Sequence, residues 1–298
     1  MNIDRLAIVG VGLIGGSLAK ALRRENVCTN IIGYGRNPDH LRTAVDLGVI
    51  DEFSLDLKKV VSNADVVVFA TPLATNPLLF AEAARSIRTD TIVTDVGSAK
   101  SSVVDAARIA FGAQFKNFVP GHPIAGKELS GVEVASSDLF EQHIVILTPL
   151  ADTNVHALSQ ITQMWEATGA QVMTLDVEHH DSVLAATSHL PHMLAYALVD
   201  CLAKMQESEE IFQFAAGGFI DFTRIASSNP QMWHDICFAN RRSLLKVLDQ
   251  FDEHMREIRL AIEADDSERI LHIFTRAKSA RDEFIVAREH VNAPSLPE

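Results

Sequence analysis

The 298-residue chain is long enough for one large domain or two ordinary ones, and its composition (47% hydrophobic, 22% charged) is typical of a globular protein with a sizeable core. Its formal net charge of −13, without a run of basic residues, argues against nucleic acid or an anionic membrane as a partner. The cysteines are far apart, no stretch approaches the roughly 20 apolar residues of a membrane span, and the N-terminus has no signal-peptide pattern, so we expect a cytoplasmic protein.

The first predicted element is a short buried strand at residues 6–9, which leads directly into a glycine-rich turn and then into a helical apolar pattern. A G-x-G-x-x-G pattern therefore stands between a strand and a helix. Such a turn binds a dinucleotide, because the glycines let the backbone approach the pyrophosphate and the N–H groups of the first helical turn meet the phosphates. The predicted cofactor contacts in this segment are Gly10, Gly12, Leu13, Ile14 and Gly15.

The second predicted strand, residues 30–34, is followed by Gly35 and Arg36. A site for NAD places an acidic residue here on the ribose hydroxyls, whereas an arginine suits the 2′-phosphate of NADP. We therefore predict NADP as the preferred cofactor, with NAD as the alternative. The competing interpretation is that Arg36 is a solvated loop residue.

Strands and helices then alternate, which predicts an α/β fold with a Rossmann-like, doubly wound parallel sheet. Ligands bind such sheets beyond the carboxyl ends of the strands, so we expect Thr71, Ser98 and His122 to line one crevice with the cofactor. Ser98 is also predicted to be the N-cap of the following helix, and the two roles are compatible. The further strands are predicted at residues 66–70, 91–94, 118–119, 143–147 and 171–175, with helices at, for example, 78–87 and 101–111.

His122 is the strongest catalytic candidate in this part of the chain. It lies in a predicted turn, residues 120–126, whose two prolines and two glycines should hold the backbone in one shape. A histidine held in this way at a strand end can exchange a proton near neutral pH. The alternative is a histidine that only caps a loop.

A second group of polar residues lies on a predicted long helix. Asp181, Ser188 and His192 are seven and four residues apart, so they return to one face of a helix that Pro191 should kink. This face is a candidate pocket wall, and the alternative is an ordinary solvated face. The histidines of this segment lack the H-x-x-x-H spacing of a catalytic zinc site, so no metal is predicted.

Arg224 is a candidate for binding an anionic substrate. It can pair with Asp221 three residues earlier on a helix, or its guanidinium can clamp a substrate carboxylate in a bidentate manner. Asn229-Pro230 predicts the start of the next helix, which carries Trp233.

The strand pattern stops near residue 176, which predicts two domains, residues 1–175 for the dinucleotide and residues 176–298 for substrate binding and dimerisation. From Leu244 to Ile262, apolar residues recur at alternating steps of four and three, a seam that requires another helix against it. We therefore predict a homodimer through the C-terminal helices.

Five stretches resemble the prephenate/arogenate (cyclohexadienyl) dehydrogenase family of tyrosine biosynthesis. They occur in order through both predicted domains, which makes the combined resemblance specific. It implies a Rossmann-like N-terminal domain, an all-α C-terminal dimerisation domain, and the oxidative decarboxylation of prephenate to 4-hydroxyphenylpyruvate, or of arogenate to tyrosine, with hydride transfer to NAD(P)+. The stretches are GVGLIGGS at 10–17, DVGSAK at 95–100, GHPIAGKELSG at 121–131, SHLPH at 188–192 and GGFIDFTRIA at 217–226.

The resemblance also implies roles for individual residues. His122 would accept the proton of the ring C4 hydroxyl, Ser98 would orient His122 and contact the nicotinamide end, and Arg224 would anchor the ring carboxylate. The other substrate-binding positions that it implies are Ser188, His192, Glu128, Asp181, Asp221 and Trp233.

Two other functions remain open from the residues alone. A β-hydroxyacid dehydrogenase-like oxidoreductase would carry a catalytic lysine on the first long helix of the second domain, where this chain offers only Lys204, far along the helix. A non-catalytic regulator that senses NADP would have no need of His122 or Arg224.

Overall fold

The computed structural model describes residues 2–127 and 129–292. Strands and helices alternate in its N-terminal part, and the main sheet is parallel with the order β3-β2-β1-β4-β5-β6, the order of a Rossmann fold. The strands are β1 (Ile3–Val9), β2 (Cys28–Tyr34), β3 (Glu52–Ser54), β4 (Val66–Phe69), β5 (Ile92–Asp95), β6 (Phe118–Val119), β7 (Gly121–Pro123), β8 (Ile144–Leu147) and β9 (Gln171–Thr174). The helices are α1 (Leu13–Arg24), α2 (Pro38–Asp46), α3 (Leu57–Val61), α4 (Asn76–Ala83), α5 (Ser101–Phe111) and α6 (Val155–Glu166).

The main sheet forms because its central strands are apolar on both faces. Along β1, Leu6 and Ile8 pack into the core on one side of the sheet, while Ala7 and Val9 pack into the core on the other side. This alternation follows from the two-residue period of a strand. The predicted α/β class with a Rossmann-like sheet is confirmed.

The last two predicted strands do not join this sheet. β8 and β9 pair in parallel with each other, and β7 adds to β8 in the antiparallel direction, so that they form a separate sheet in the order β7-β8-β9. The prediction that His122 lies in a turn is therefore wrong: it is the central residue of β7 and lies opposite Ile146. The surrounding prolines are compatible with a strand because β7 is an edge strand.

The next part of the chain is helical. A five-residue π-helical turn, Ala185–His189, separates α7 from α8. It ends two residues before Pro191, the second residue of α8, which has no N–H to donate along the helix. A π turn adds one residue and so rotates everything after it by about 100°. The helices are α7 (Val177–Leu184), α8 (Leu190–Ala203), α9 (Ser208–Gln213), α10 (Gly217–Thr223) and α11 (Pro230–Ala239), with a 3₁₀ turn at Arg224–Ser227.

Residues up to Leu244 form one compact unit, and those from Leu245 onward form a second. The predicted domain boundary at 175/176 stays a prediction. The second unit consists of most of α12 (Arg241–Glu263) and of α13 (Ser267–Asn292). It exposes many large apolar side chains, namely Met255, Leu260, Ile262, Leu271, Phe274, Phe284 and Val286. Within the described ranges, no helix combines the length and the apolar character that a membrane span requires.

Candidate active site

The glycine-rich turn after β1 leaves room for a ligand at one position and not at the others. A Cβ on Gly10, whose φ is +100°, would lie 2.5 Å from the carbonyl oxygen of Ala70, and a Cβ on Gly15 would lie 2.3 Å from the carbonyl oxygen of Gly10. A Cβ on Gly12 would meet no described atom within 4 Å. Gly10 and Gly15 thus allow strand, turn and helix to pack closely. Gly12 faces open space that has room for the pyrophosphate of a dinucleotide.

Helix α1 presents a suitable N-terminus to that space. Its first residues, Leu13, Ile14 and Gly15, have N–H groups without an intrahelical acceptor. The first turn has no acidic residue, and among the described residues no side chain caps it at Gly12. The partial positive charge of this helix end therefore favours an anionic group such as a pyrophosphate.

Two of the other three predicted cofactor residues, Arg36 and Thr71, lie just after the ends of β2 and β4. A Cβ on Gly10 would also contact Thr71 Cγ2 at 2.8 Å, so Thr71 borders the glycine turn, and its hydroxyl donates to Asn76 Oδ1. Arg36 is exposed directly after β2 and precedes Asn37, the N-cap of α2. Thr71 and the glycine turn therefore lie together beyond the carboxyl ends of the neighbouring strands β4 and β1.

A buried ion pair at the end of β5 connects the two sheets. Lys100 Nζ donates to Asp95 Oδ2 at 2.5 Å and to the carbonyl of Gly121 at 2.6 Å, and both charged side chains are fully buried. Asp95 also accepts from the N–H groups of Gly97 and Gly121. Burial lowers the pKa of Lys100, and the neighbouring Asp95 opposes this shift. The pair fixes the start of β7 against β5 and so positions His122.

Ser98 is half-buried in the segment between β5 and α5, but it does not cap α5. The N-cap position is Lys100, and the carboxylate of Asp181 accepts the N–H groups of Lys100 and Ser101 at 2.7 and 2.9 Å. The N-cap prediction for Ser98 is therefore wrong. A carboxylate 80 residues away in the sequence caps the helix instead, which local spacing could not reveal.

His122 belongs to a line of three buried side chains, which we call the histidine array: Asp181, His180 and His122. His122 Nδ1 lies 2.9 Å from His180 Nε2, and His180 Nδ1 lies 2.9 Å from Asp181 Oδ1. His122 is 8% exposed, His180 is fully buried and Asp181 is 2% exposed. The array therefore links the predicted base to a carboxylate that also holds the N-terminus of α5.

The electrostatic surroundings of the histidine array favour a neutral His122 and a charged Asp181. Burial lowers the pKa of His122 well below 6.5, and His180, Lys100 and His189 lower it further. Burial alone would raise the pKa of Asp181, but the hydrogen bonds from His180, Ser101 and Lys100 outweigh it and the pKa is lowered. His122 is thus available as a proton acceptor at neutral pH.

The π turn brings His189, rather than Ser188, towards Asp181. Asn240 Nδ2 donates to the Asp181 carbonyl at 2.7 Å and lies 3.1 Å from His189 Nδ1. Burial lowers the pKa of His189 to about 4. The prediction that Asp181 and Ser188 share a helical face is therefore wrong, because the extra residue of the π turn rotates Ser188 away.

Two predicted substrate-binding residues, His192 and Trp233, are stacked with ring centroids 3.6 Å apart and an interplanar angle of 19°. His192 Nδ1 donates to the Ser188 carbonyl at 2.8 Å, which leaves its Nε2 as an acceptor. Trp233 Nε1 is buried without a hydrogen-bond partner among the described residues. Buried polar atoms of this kind are expected to meet a ligand or water.

Asp221 and Arg224 are exposed around the C-terminal end of α10, and the turn that begins at Arg224 packs against α8. That Arg224 faces the same cleft as His122 stays a prediction. Glu128 lies outside the described residues.

Sequence reasoning missed four residues that build this site: Asp95, Lys100, His180 and Asn240. Asp95 and Lys100 stand at the two ends of the DVGSAK stretch, so the motif itself was the available signal. His180 was weighed only as a metal ligand, and among the described residues no group of three or more potential ligands forms a metal site. For Asn240, no signal in the sequence was available.

Two family models together match most of the chain. The model of the prephenate dehydrogenase nucleotide-binding domain matches residues 18–174, and that of the prephenate dehydrogenase dimerization domain matches residues 176–276.

Similar proteins cover almost the whole chain. A prephenate dehydrogenase of Bacillus subtilis is 39% identical over 94% of this chain and 76% of its own length. A cyclohexadienyl dehydrogenase of Zymomonas mobilis is 35% identical over 93% of this chain and 94% of its own. Among solved structures, prephenate dehydrogenase from A. aeolicus in complex with hydroxyphenyl propionate and NAD+ has a TM-score of 0.89 and 37% identity, covering 95% of this chain and 99% of that one.

Proposed function

This chain belongs to the prephenate dehydrogenase family, and from that premise we propose that it catalyses the oxidative decarboxylation of prephenate, arogenate or both in tyrosine biosynthesis, with NAD(P)+ as the oxidant. The observation that carries the proposal is a neutral, buried His122 fixed beside the edge of a dinucleotide-binding sheet. The cytoplasmic location expected from the sequence is part of the proposal.

The residues present fit a dinucleotide. The open face of Gly12 and the uncapped start of α1 would hold the pyrophosphate, with Thr71 bordering the turn. When bound, NAD(P)+ supplies a hydride acceptor. NADP as the preferred form rests on Arg36 and on the lack of an acidic residue directly after β2. The A. aeolicus relative was solved with NAD+, so a comparison of both cofactors is part of the test.

The chemistry assigned to this chain is the removal of one proton and the orientation of the substrate. His122 accepts the proton of the C4 hydroxyl as the hydride leaves C4, a contribution of about 10²–10⁴-fold for general base catalysis. Loss of the ring carboxylate as CO2 then makes the ring aromatic, which drives the reaction. This sequence of events calls for no covalent nucleophile of the protein.

Arg224 is proposed to bind the ring carboxylate through its guanidinium, which matches a carboxylate in a bidentate manner. Ser98 is proposed to orient His122 and to contact the nicotinamide end. The stacked pair of His192 and Trp233 is proposed as a wall of the substrate pocket. The proposal is supported by the buried Trp233 Nε1, which has no hydrogen-bond partner among the described residues, and by His192 Nε2, which is left as an acceptor. The remaining proposed substrate-binding positions are Ser188, Asp181, Asp221 and Glu128.

The active assembly is proposed to be a homodimer. The family model that matches residues 176–276 describes a dimerization domain, and the second compact unit exposes large apolar side chains that a second copy would cover.

A direct test mixes the protein with NADP+ or NAD+ and with prephenate or arogenate, and follows the reduced cofactor at 340 nm. We expect turnover with at least one pair of substrates, and a His122→Asn variant whose kcat falls by about 10²–10⁴-fold while its Kd for the cofactor is unchanged. His179→Gln, an exposed histidine on α7, is the matched control. Cofactor binding without turnover would support the regulator instead, and near-normal turnover by His122→Asn would remove His122 as the base.

A further inference from the structure

The hydrogen-bond directions in the histidine array can be assigned from its carboxylate end. Asp181 is a carboxylate and can only accept, so His180 Nδ1 carries the proton of the 2.9 Å contact between them. A neutral His180 then has a lone pair on Nε2. The Nε2 atom can accept from His122 Nδ1 at 2.9 Å, and this places the proton of His122 on Nδ1 and its lone pair on Nε2.

We propose that His180 and Asp181 are positioning residues that hold His122 in the Nδ1–H tautomer, and that His180 takes over the proton when His122 acts as a base. This inference rests on the proposed function only for the second part, since the tautomer is a property of the free protein.

The proton step is balanced within the array. The O–H bond of the substrate hydroxyl breaks and its proton binds His122 Nε2, while the Nδ1–H proton of His122 moves to His180 Nε2. His122 stays neutral, and His180 becomes an imidazolium next to the Asp181 carboxylate. When the ring loses CO2, the electron pair of the broken bond reaches the ring oxygen, which takes a proton back by the reverse path. The oxidant is the NAD(P)+ of the proposed reaction.

The charges around the histidine array explain why the Nδ1 proton of His122 should move to His180. The charged or titratable groups that face His122 are Lys100 from the start of α5, His180 from α7 and His189 from the π turn. With both of these histidines neutral, burial and the positive charge of Lys100 disfavour a positive charge on His122. His180, in contrast, is in direct contact with Asp181, whose carboxylate is also held by the N–H groups of Lys100 and Ser101. Moving the positive charge from His122 to His180 therefore places it in contact with the Asp181 carboxylate.

Substitutions at His180 separate the two roles. In His180→Gln, the side-chain oxygen can still accept from His122 Nδ1 but cannot bind a proton, so the tautomer should persist while kcat falls by about 10²-fold or more. In His180→Leu, neither role remains, so the tautomer should be lost and kcat should fall at least as far. His179→Gln, one residue earlier and exposed, is the control for substitutions on α7.

The test combines ¹⁵N NMR of histidine-labelled, full-length protein with steady-state kinetics. His122 is assigned by the signal that His122→Asn removes, and its two nitrogen shifts report which atom carries the proton. We expect Nδ1–H in the wild type and in His180→Gln, and a loss of that signal in His180→Leu. Equal melting temperatures and equal cofactor Kd values identify variants that remain folded.

A wild-type His122 protonated on Nε2 would overturn the inference, as would a His180→Gln variant with wild-type kcat. The proposed function fails by a different result, the absence of turnover by the wild type with prephenate and arogenate. Because the tautomer is measured without substrate, the two failures can be told apart.

Discussion

At the scale of single residues, the site depends on histidines whose burial decides their charge. His122 and His189 are almost completely buried and both have a lowered pKa, for which burial is the main cause. A buried imidazole is kept neutral because desolvation penalises its charged form. The same burial that keeps these imidazoles neutral also makes the stability of the fold depend on pH.

Stability should fall as the pH is lowered from 7 to 5, and His189 should account for part of the loss. Its pKa is about 4 in the folded state and about 6.5 when unfolded, so the unfolded chain binds more protons in this window. The resulting loss of unfolding free energy from this residue alone is about 2 kcal/mol. His189→Gln, which keeps an acceptor for Asn240, should lose that much less between the two pH values in urea denaturation. Equal pH dependence of both proteins would contradict the lowered pKa.

Arg36 should decide the choice of cofactor, since it is exposed directly after β2. Replacing it with serine should lower kcat/KM for NADP by about 10- to 100-fold, because a charge-assisted hydrogen bond to a phosphate contributes about 1.5–3 kcal/mol. The value for NAD should change little. Arg42→Ser, an exposed arginine on α2, serves as the control. A wild type that clearly prefers NAD would show that Arg36 is a solvated loop residue.

At the scale of elements, close approaches of the backbone determine what each turn can accept. The turn between β1 and α1 shows this at two glycines, since a Cβ on Gly15 would meet backbone whereas a Cβ on Gly12 would meet none of the described atoms. The same motif therefore has one glycine that close packing requires and one, Gly12, whose added Cβ would meet none of the described atoms.

This difference predicts that one added methyl group weakens cofactor binding at Gly12 but lowers the stability of the fold at Gly15. Gly12→Ala, at a φ of −105°, should melt at the wild-type temperature but bind NAD(P) at least about 10-fold more weakly, because the methyl group fills the space left for the pyrophosphate. Gly15→Ala should destabilise the fold by about 1–3 kcal/mol through overpacking. Thermal melts and cofactor titrations of both variants test this. A Gly12→Ala protein that binds the cofactor normally would exclude this turn as the binding site.

At the scale of the whole molecule, the second compact unit cannot bury its apolar side chains by itself. Phe274, Leu271 and Met255 are among the exposed ones, and exposed apolar area on this scale usually marks an interface. The unit is therefore expected to be stable only when another surface covers it.

Phe274→Glu should convert the proposed dimer into a monomer, because an unpaired carboxylate buried in an apolar interface costs several kcal/mol. Thr275→Glu, its exposed neighbour, should leave the dimer intact. Light scattering of both variants at micromolar concentration measures the difference. A wild type that is monomeric at this concentration would remove the homodimer from the proposal.

The sequence by itself determined the parallel sheet, the glycine turn and the histidine of the candidate site. These features arise from local patterns, such as the buried run at residues 6–9 and the spacing of Gly10, Gly12 and Gly15. Local patterns can be recognised in the sequence because they involve residues that are close together along the chain. The limits of α5 were predicted correctly at residues 101 and 111 for the same reason.

Only the tertiary structure decided that His122 lies in an edge strand, that Asp181 caps α5, and that His180 connects the two. These relations join residues about 20 to 80 positions apart, and they depend on a three-stranded sheet and a π turn that no local periodicity encodes. Hydrogen bonds between distant side chains form only where packing brings them within about 3 Å. The candidate base, His122, could therefore be proposed from the sequence, while His180 and Asp181, which are hydrogen-bonded in line with it, could not.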